Sequence, residues 1–246
     1  MRKVVIVGDG AWGTALALVL ERSGQEVVIW GHDPGYLEEM RQHRENRVFL
    51  PGVKLPAGIA FADDLGQAVA DAGLVVNAIP SRFLRPVFSR PLPNLPPGTP
   101  VVSLTKGLEP ETLKRPSEVL ADCLGEVRLA ALSGPSHAEE VARGLPASLV
   151  SASSDLATAR QVQQMFSQPR FRVYASADLV GVEIAAAAKN VIALAAGIVQ
   201  GLELGDNALA ALATRGMTEI ARIGVAMGGD PRTFSGLAGI GDLITT

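Results

Sequence analysis

The sequence predicts an α/β fold in which a doubly wound, mainly parallel sheet is followed by an all-helical second domain. Three observations lead there. From the N-terminus to about Ser176, short β-branched runs alternate with helical patterns, as they do where crossover helices cover a parallel sheet. The first run passes through Gly8-Asp9-Gly10-Ala11-Trp12-Gly13 straight into a helical pattern, the strand, turn and helix of a Rossmann-type dinucleotide site. After Asp178 no strand pattern returns, and the chain becomes Ala-rich with glycines at intervals. The expected division is 1–177 for the sheet domain and 178–246 for the helical one.

Strands are predicted at Lys3 to Val7, Glu26 to Trp30, Leu74 to Ala78, Pro100 to Leu104, Arg128 to Leu132, Ala147 to Ser151 and Phe171 to Ala175. Most are apolar without interruption, so both faces of the sheet are expected to be covered. Between them, a helix from Thr14 to Arg22 ends at Gly24, a suitable C′ residue, and a helix from Asp155 to Ser167 starts at an N-cap. The Pro-rich stretch from Pro91 to Pro100 reads as a surface loop inside the first domain, because a strand pattern resumes straight after it. Further helices are expected over Leu179 to Leu202 and Asn207 to Met227. The segment from Ile184 to Val199 is almost wholly apolar, yet Lys189 and Asn190 stand at its centre, where lipid exposure is costly. It reads as a buried helix of a soluble protein.

At 246 residues, 48% hydrophobic and 19% charged, the chain has the apolar content for a large core. A formal net charge of −3 and the absence of any Lys/Arg run argue against wrapping nucleic acid or coating an anionic membrane. Cations that bind phosphate must therefore be local. The apolar run after Arg2 and Lys3 is too short for a signal peptide, and the single Cys123 has no partner for a disulfide or a zinc site. A cytoplasmic location is expected, with no nucleic acid, no integral membrane association and no metal. Oligomeric state stays open, a homodimer included.

In the first motif, Gly8 permits a tight turn, Gly10 lets backbone approach a pyrophosphate, and Gly13 lets helix pack close on strand. The second strand then ends in Trp30-Gly31-His32-Asp33. An NAD site usually has a carboxylate here, but Asp33 arrives late, beside Pro34, and suits a helix cap equally well. His32 stands where it can meet a 2′-phosphate or be a plain surface turn residue; on the first reading NADP is allowed and even preferred. Pro80 and Lys106 follow the ends of later strands, which face the ligand crevice in an open α/β sheet. Lys106 is equally readable as a surface lysine.

Ser133-Gly134-Pro135-Ser136-His137-Ala138 again takes a strand through a turn into a helix. Gly134 and Ser136 can offer donors to a small polar ligand, while Ser136 with Glu139 matches a capping box; both can hold together. His137 lies in the cap turn without a partner and reads as non-catalytic. Lys189, in Ala185-Ala186-Ala187-Ala188-Lys189-Asn190, carries the most information. An ammonium in an apolar helix is costly unless paired, and desolvation lowers its pKa toward the range of a proton acceptor, which assists hydride loss from an alcohol carbon. The alternatives are pairing with a carboxylate or snorkelling to the surface; Glu183, six residues away, lies off the same face. Gly236 to Thr246 reads as a loop with Asp242 held at a turn, placed to bind a hydroxyl or orient Lys189.

In order and spacing, GDGAWGTALA, IWGHDP, NAIPS, TKGLE, SGPSHAEEVARGLP, FRVY, AAKNVIALAAGIVQGL, TRGMTEI and GLAGIGDL resemble the bacterial NAD(P)-dependent glycerol-3-phosphate dehydrogenases across the whole chain. The resemblance implies a Rossmann-type domain and a helical domain with the active site between them, and reversible hydride transfer between NAD(P)H and dihydroxyacetone phosphate, a phosphorylated triose. It makes Lys189 the expected proton acceptor and assigns substrate binding to Lys106, Gly134, Ser136, Lys189, Asn190, Asp242 and Thr246. It assigns cofactor contacts to Ala11, Trp12, His32, Phe83, Lys106 and Ala138, beside Gly8, Gly10, Gly13 and Pro80 from the motifs; NADP and NAD both remain open. Family members continue past the position of Thr246 with a helical remainder whose arginine is expected to bind phosphate. At the length given, the expectation is therefore a chain that is impaired or is a piece of a longer protein. The rivals are a two-domain hydroxyacid or ketopantoate-type reductase and a non-catalytic NAD(P) sensor, against which the desolvated Lys189 argues.

Overall fold

The computed structural model describes residues 2–92 and 95–246, so the predicted loop from Pro91 to Pro100 lies in part outside the described residues. The chain opens with β1 (Lys3–Val7), α1 (Ala11–Arg22) and β2 (Glu26–Trp30), then α2 (Pro34–His43), β3 (Glu45–Asn46), β4 (Leu50–Lys54), β5 (Ile59–Ala62) and α3 (Leu65–Ala68). There follow β6 (Leu74–Asn77), α4 (Ser81–Phe88), β7 (Pro100–Ser103), α5 (Pro116–Leu124), β8 (Arg128–Ser133), α6 (Ala138–Ala142), β9 (Ala147–Ala152), α7 (Leu156–Phe166) and β10 (Phe171–Ser176). Everything after is helical: α8 (Leu179–Gly201), α9 (Asp206–Ala226), α10 (Pro231–Phe234), a π-helical turn (Leu237–Gly241) and α11 (Asp242–Thr245).

The main sheet runs β10-β9-β8-β7-β6-β1-β2-β5. Only the β8/β9 pair is antiparallel; β1 pairs β2 and β6 in parallel, Val7 lying opposite Trp30 and Asn77. The chain winds outward from β1 in one direction through β2 and β5, then returns to lay β6, β7 and β8 on the other side. That reversal opens a crevice beyond the carboxyl ends of β1 and β6. Successive residues of a strand point to opposite faces, and β1 accordingly sends Val4 and Ile6 into one apolar layer with Leu16 and Ile29, and Val5 and Val7 into a second with Phe88 and Val101. All seven predicted strands form, and the Asp155 cap is made, its carboxylate accepting from the amides of Ala157 and Thr158.

Three strands, β3 to β5, went unpredicted. The link from β4 to β5 is pinned by Arg44, whose guanidinium donates to the carbonyls of Leu55 at 3.2 Å and Ile59 at 2.9 Å and also to that of Pro56. Pro51 and Gly52 within β4 hide it from a periodicity search. The reading of Ile184 to Val199 as buried also needs correction. The N-terminal half of α8 is buried from Gly181 to Ala186, but Val191, Leu194 and Ile198 are exposed. In the C-terminal half Ile192 packs on Gly216 of α9, while the face carrying Val191, Leu194 and Ile198 is left uncovered among the described residues. By length and composition alone α8 could cross a membrane.

Glu183 lies off the Lys189 face, as its spacing predicts, and ties α8 to the sheet domain. Its carboxylate accepts from the Ser117 amide at 2.7 Å, the Ser117 hydroxyl at 2.6 Å and the Arg115 guanidinium at 2.8 Å. With only 1% of its side chain exposed, losing it leaves the Ser117 amide and hydroxyl without their acceptor and strips the Arg115 guanidinium of its buried partner, Glu118 remaining on it at 3.1 Å. Glu183→Ala is expected to destabilise the fold by about 3 kcal/mol, lowering the thermal midpoint by roughly 6–12 °C; a calorimetric midpoint unchanged by the substitution would refute the anchor.

Candidate active site

The glycine loop forms a cradle that side chains would fill. Gly8 has φ +123°, and a Cβ there would stand 2.8 Å from the Ala78 carbonyl oxygen; one on Gly13 would stand 2.5 Å from the Gly8 oxygen. Gly10 is the N-cap of α1, with no side-chain cap on the helix and no atom within 4 Å of where its own Cβ would be. Open backbone at the start of a twelve-residue helix leaves amides of the first turn, through Ala11 and Trp12, free for phosphate oxygens. The residues present thus fit a dinucleotide. On the far side of the crevice, Asn77 donates to Ser103 Oγ at 3.1 Å and Thr105 Oγ1 at 2.8 Å, and Thr105 donates to the Ile79 carbonyl at 2.8 Å. This network, missed in the sequence although Asn77 is a lone amide in an apolar strand, fixes the segments from which Pro80 and Lys106 project.

Lys106, Lys189 and Asp242 converge where the helical region meets the sheet ends. Lys106 Nζ lies 2.9 and 2.7 Å from the two Asp242 carboxylate oxygens, and Lys189 Nζ 2.7 Å from Oδ1. Lys189 also donates to Thr246 Oγ1 at 2.5 Å, while that hydroxyl donates to the Asp242 carbonyl at 2.8 Å. Ser133 Oγ approaches Asp242 Oδ2 at 3.4 Å, a contact no local pattern could reveal. Asp242 begins α11 rather than sitting in a loop. Two ammonium groups share one carboxylate, so the cluster carries net positive charge. Burial lowers Lys189 from 10.5 to about 8, helped by repulsion from Lys106 and opposed by Asp242. The arrangement offers a proton acceptor beside a cationic surround, the pairing needed to bind an anionic alcohol and remove its proton.

A family model described as NAD-dependent glycerol-3-phosphate dehydrogenase N-terminus matches residues 3–159, and its C-terminal counterpart matches 178–246. The chain belongs to this family of dehydrogenases. It is similar to the protein of Moorella thermoacetica named glycerol-3-phosphate dehydrogenase (NAD(P)+), with 52% identity over 99% of this chain and 72% of that one. A protein of the same name from Geobacter sp. strain M21 is 49% identical over 99% of this chain and 74% of its own length. The crystal structure of glycerol-3-phosphate dehydrogenase from Coxiella burnetii superposes with TM-score 0.95 at 38% identity, covering 99% of this chain and 75% of that one.

Other residues expected from the dehydrogenase resemblance are more scattered. Asn190, next to Lys189, is exposed and makes no side-chain hydrogen bond among the described residues. Gly134 packs against the backbone of β9, with Leu149 Cα 3.0 Å from where its Cβ would be. Ser136 does not form the expected capping box: His137 is the N-cap of α6 without a side-chain cap, and the Ser136 hydroxyl turns back to the Gly134 carbonyl at 2.9 Å. With the helix starting one residue late, Glu139 falls out of capping register. Ala138 opens α6, and Pro80 is the N-cap of α4. Phe83 is half exposed with the Arg82 guanidinium 4.5 Å from its ring centre. His32 is exposed, and Asp33 caps α2 through the amides of Gly35 and Tyr36.

Proposed function

We propose that this chain is a glycerol-3-phosphate dehydrogenase, interconverting sn-glycerol 3-phosphate and dihydroxyacetone phosphate with NAD(P), in the cytoplasm and in support of glycerophospholipid synthesis. Residues 1–177 form its dinucleotide domain and 178–246 belong to its substrate domain. The observation that carries the reading is Lys189, buried against Asp242 with its pKa near 8 and with Lys106 alongside. When bound, NAD(P)+ supplies the hydride acceptor for the secondary alcohol carbon. Neutral Lys189 accepts the proton of that hydroxyl, and protonated Lys189 returns it in the opposite direction. Asp242 orients both ammonium groups, Lys106 adds positive charge for the phosphate-bearing substrate, and Gly134, Ser136, Asn190 and Thr246 line its position. Gly8 to Gly13, with His32, Pro80, Phe83 and Ala138, hold the dinucleotide. The protein works without nucleic acid or an integral membrane segment, and a homodimer is compatible with this reading.

The test is the fall in reduced-cofactor absorbance when purified protein of natural length meets dihydroxyacetone phosphate with NADH or NADPH. Oxidation dependent on that triose phosphate, and absent with 2-oxo acids or ketopantoate, is expected. A folded protein that binds NADH yet leaves the triose phosphate unreduced would overturn the assignment.

A further inference from the structure

Asp9 is a buried carboxylate that the glycine cradle does not itself require. Because Val7 lies opposite Trp30 and the Gly8 amide donates to the Trp30 carbonyl at 2.8 Å, the chain leaves β1 beside the end of β2. The Asp9 side chain crosses to Gly31: a Cβ built on that glycine would stand 2.3 Å from Asp9 Oδ2 and 2.6 Å from Cγ. The carboxylate thus fills the space that a side chain just past β2 would take. In dinucleotide folds this is the region from which a second-strand carboxylate meets the adenosine ribose hydroxyls. Here that strand continues into Gly31 and His32 and brings no acid, since Asp33 is occupied in capping α2.

No other side chain among the described residues donates to the Asp9 carboxylate. It is 9% exposed, and among the described residues the only donor that meets it is its own backbone amide. Asn46, the neighbouring amide side chain, donates instead to the Asp9 carbonyl at 2.8 Å and to Thr14 Oγ1 at 2.7 Å. Burial raises the Asp9 pKa, against the pull of that amide and of His32, as expected of a carboxylate without its donor.

We propose that Asp9 is the ribose-binding carboxylate of this chain, supplied from the glycine loop in place of the second strand, and that it selects NAD over NADP. The inference rests on the dinucleotide-binding part of the functional reading and not on the substrate. A 2′-hydroxyl donates to the carboxylate, whereas an ionised 2′-phosphate has no proton to give and brings like charge against a buried anion. The exposed His32 can meet such a phosphate only with Asp9 and Asp33 nearby, so the selection reverses the preference that His32 alone suggests.

The experiment is calorimetric titration of the natural-length protein, and of Asp9→Asn and Asp9→Ala, with ADP-ribose and with 2′-phospho-ADP-ribose. The wild type is expected to bind ADP-ribose at least about tenfold more tightly than its 2′-phosphate, and both variants to bring the ratio near unity, chiefly by gaining affinity for the phosphorylated ligand. Asn is isosteric with Asp, so a folding defect confined to the Ala variant leaves the measurement intact. Equal or tighter wild-type binding of the 2′-phosphate, or equal losses for both ligands in both variants, would overturn the proposal. Binding of neither ligand would overturn the dinucleotide reading and this proposal with it. Because the ratio is read without substrate, a chain that keeps it but leaves dihydroxyacetone phosphate unreduced supports the ribose assignment and overturns only the reaction.

Discussion

Replacing Lys189 by methionine is expected to slow turnover in both directions by roughly a hundredfold to ten-thousandfold, the usual range for a lost general acid-base group, while NADH binding changes little. The separation follows from position: Lys189 lies on α8, with Asp242 and Thr246 as its partners, whereas the dinucleotide cradle is built from the β1 turn and the start of α1. The substitution does not orphan Asp242, because Lys106 keeps two contacts to it, and methionine adds no polar group to a buried position. A thermal midpoint close to wild type with turnover reduced is therefore the expected pattern, and unchanged turnover would remove Lys189 from the chemistry.

The same residue sets the direction of pH dependence. Its pKa is held down near 8 by burial and by Lys106, so the neutral form needed to accept the hydroxyl proton accumulates above that pH. Oxidation of glycerol 3-phosphate is expected to rise as pH increases through about 8, and reduction of dihydroxyacetone phosphate to fall over the same interval as the protonated form is lost. Initial rates in both directions from pH 6.5 to 9.5 check this, and the methionine variant should lose both limbs.

Elements whose causes are local were legible in the sequence. The glycine turn, the seven strands, most of them uninterrupted apolar runs, the Asp155 cap and a lysine stranded in alanines each follow from a few adjacent residues. What escaped depends on contacts between distant ones. The link from β4 to β5 is held by Arg44 through backbone carbonyls, and Ser136 lost its capping role to a one-residue change in where α6 begins. The exposed face of α8 is likewise invisible to periodicity, because an apolar helix reads the same whether or not a neighbour covers it. Lys189 was recognisable as an anomaly, but its partner lies 53 residues on, and Asp242 by itself read as a loop acid after three glycines. Anomalous residue types were legible in the sequence, and the geometry that joins them only in the fold.

Asp242→Asn is expected to lower turnover by roughly tenfold to 150-fold, the equivalent of the ~1.5–3 kcal/mol of a charge-assisted hydrogen bond to the reacting group. The side chain is 2% exposed and accepts from both lysines, so the amide leaves two ammonium groups facing each other without the charge that holds them together. Asp242 is among the influences that keep the Lys189 pKa from falling further. With its charge gone, Lys189 gives up its proton more readily, and the pH limb of glycerol 3-phosphate oxidation should move below 8 while the plateau rate falls. This shift separates positioning from stability: a residue that only braces α11 against α8 would lower the thermal midpoint and the rate but leave the limb where it was. An Asn variant with reduced rate and an unmoved limb would reduce Asp242 to a structural brace; a limb displaced to lower pH makes the shared carboxylate the group that tunes the proton acceptor.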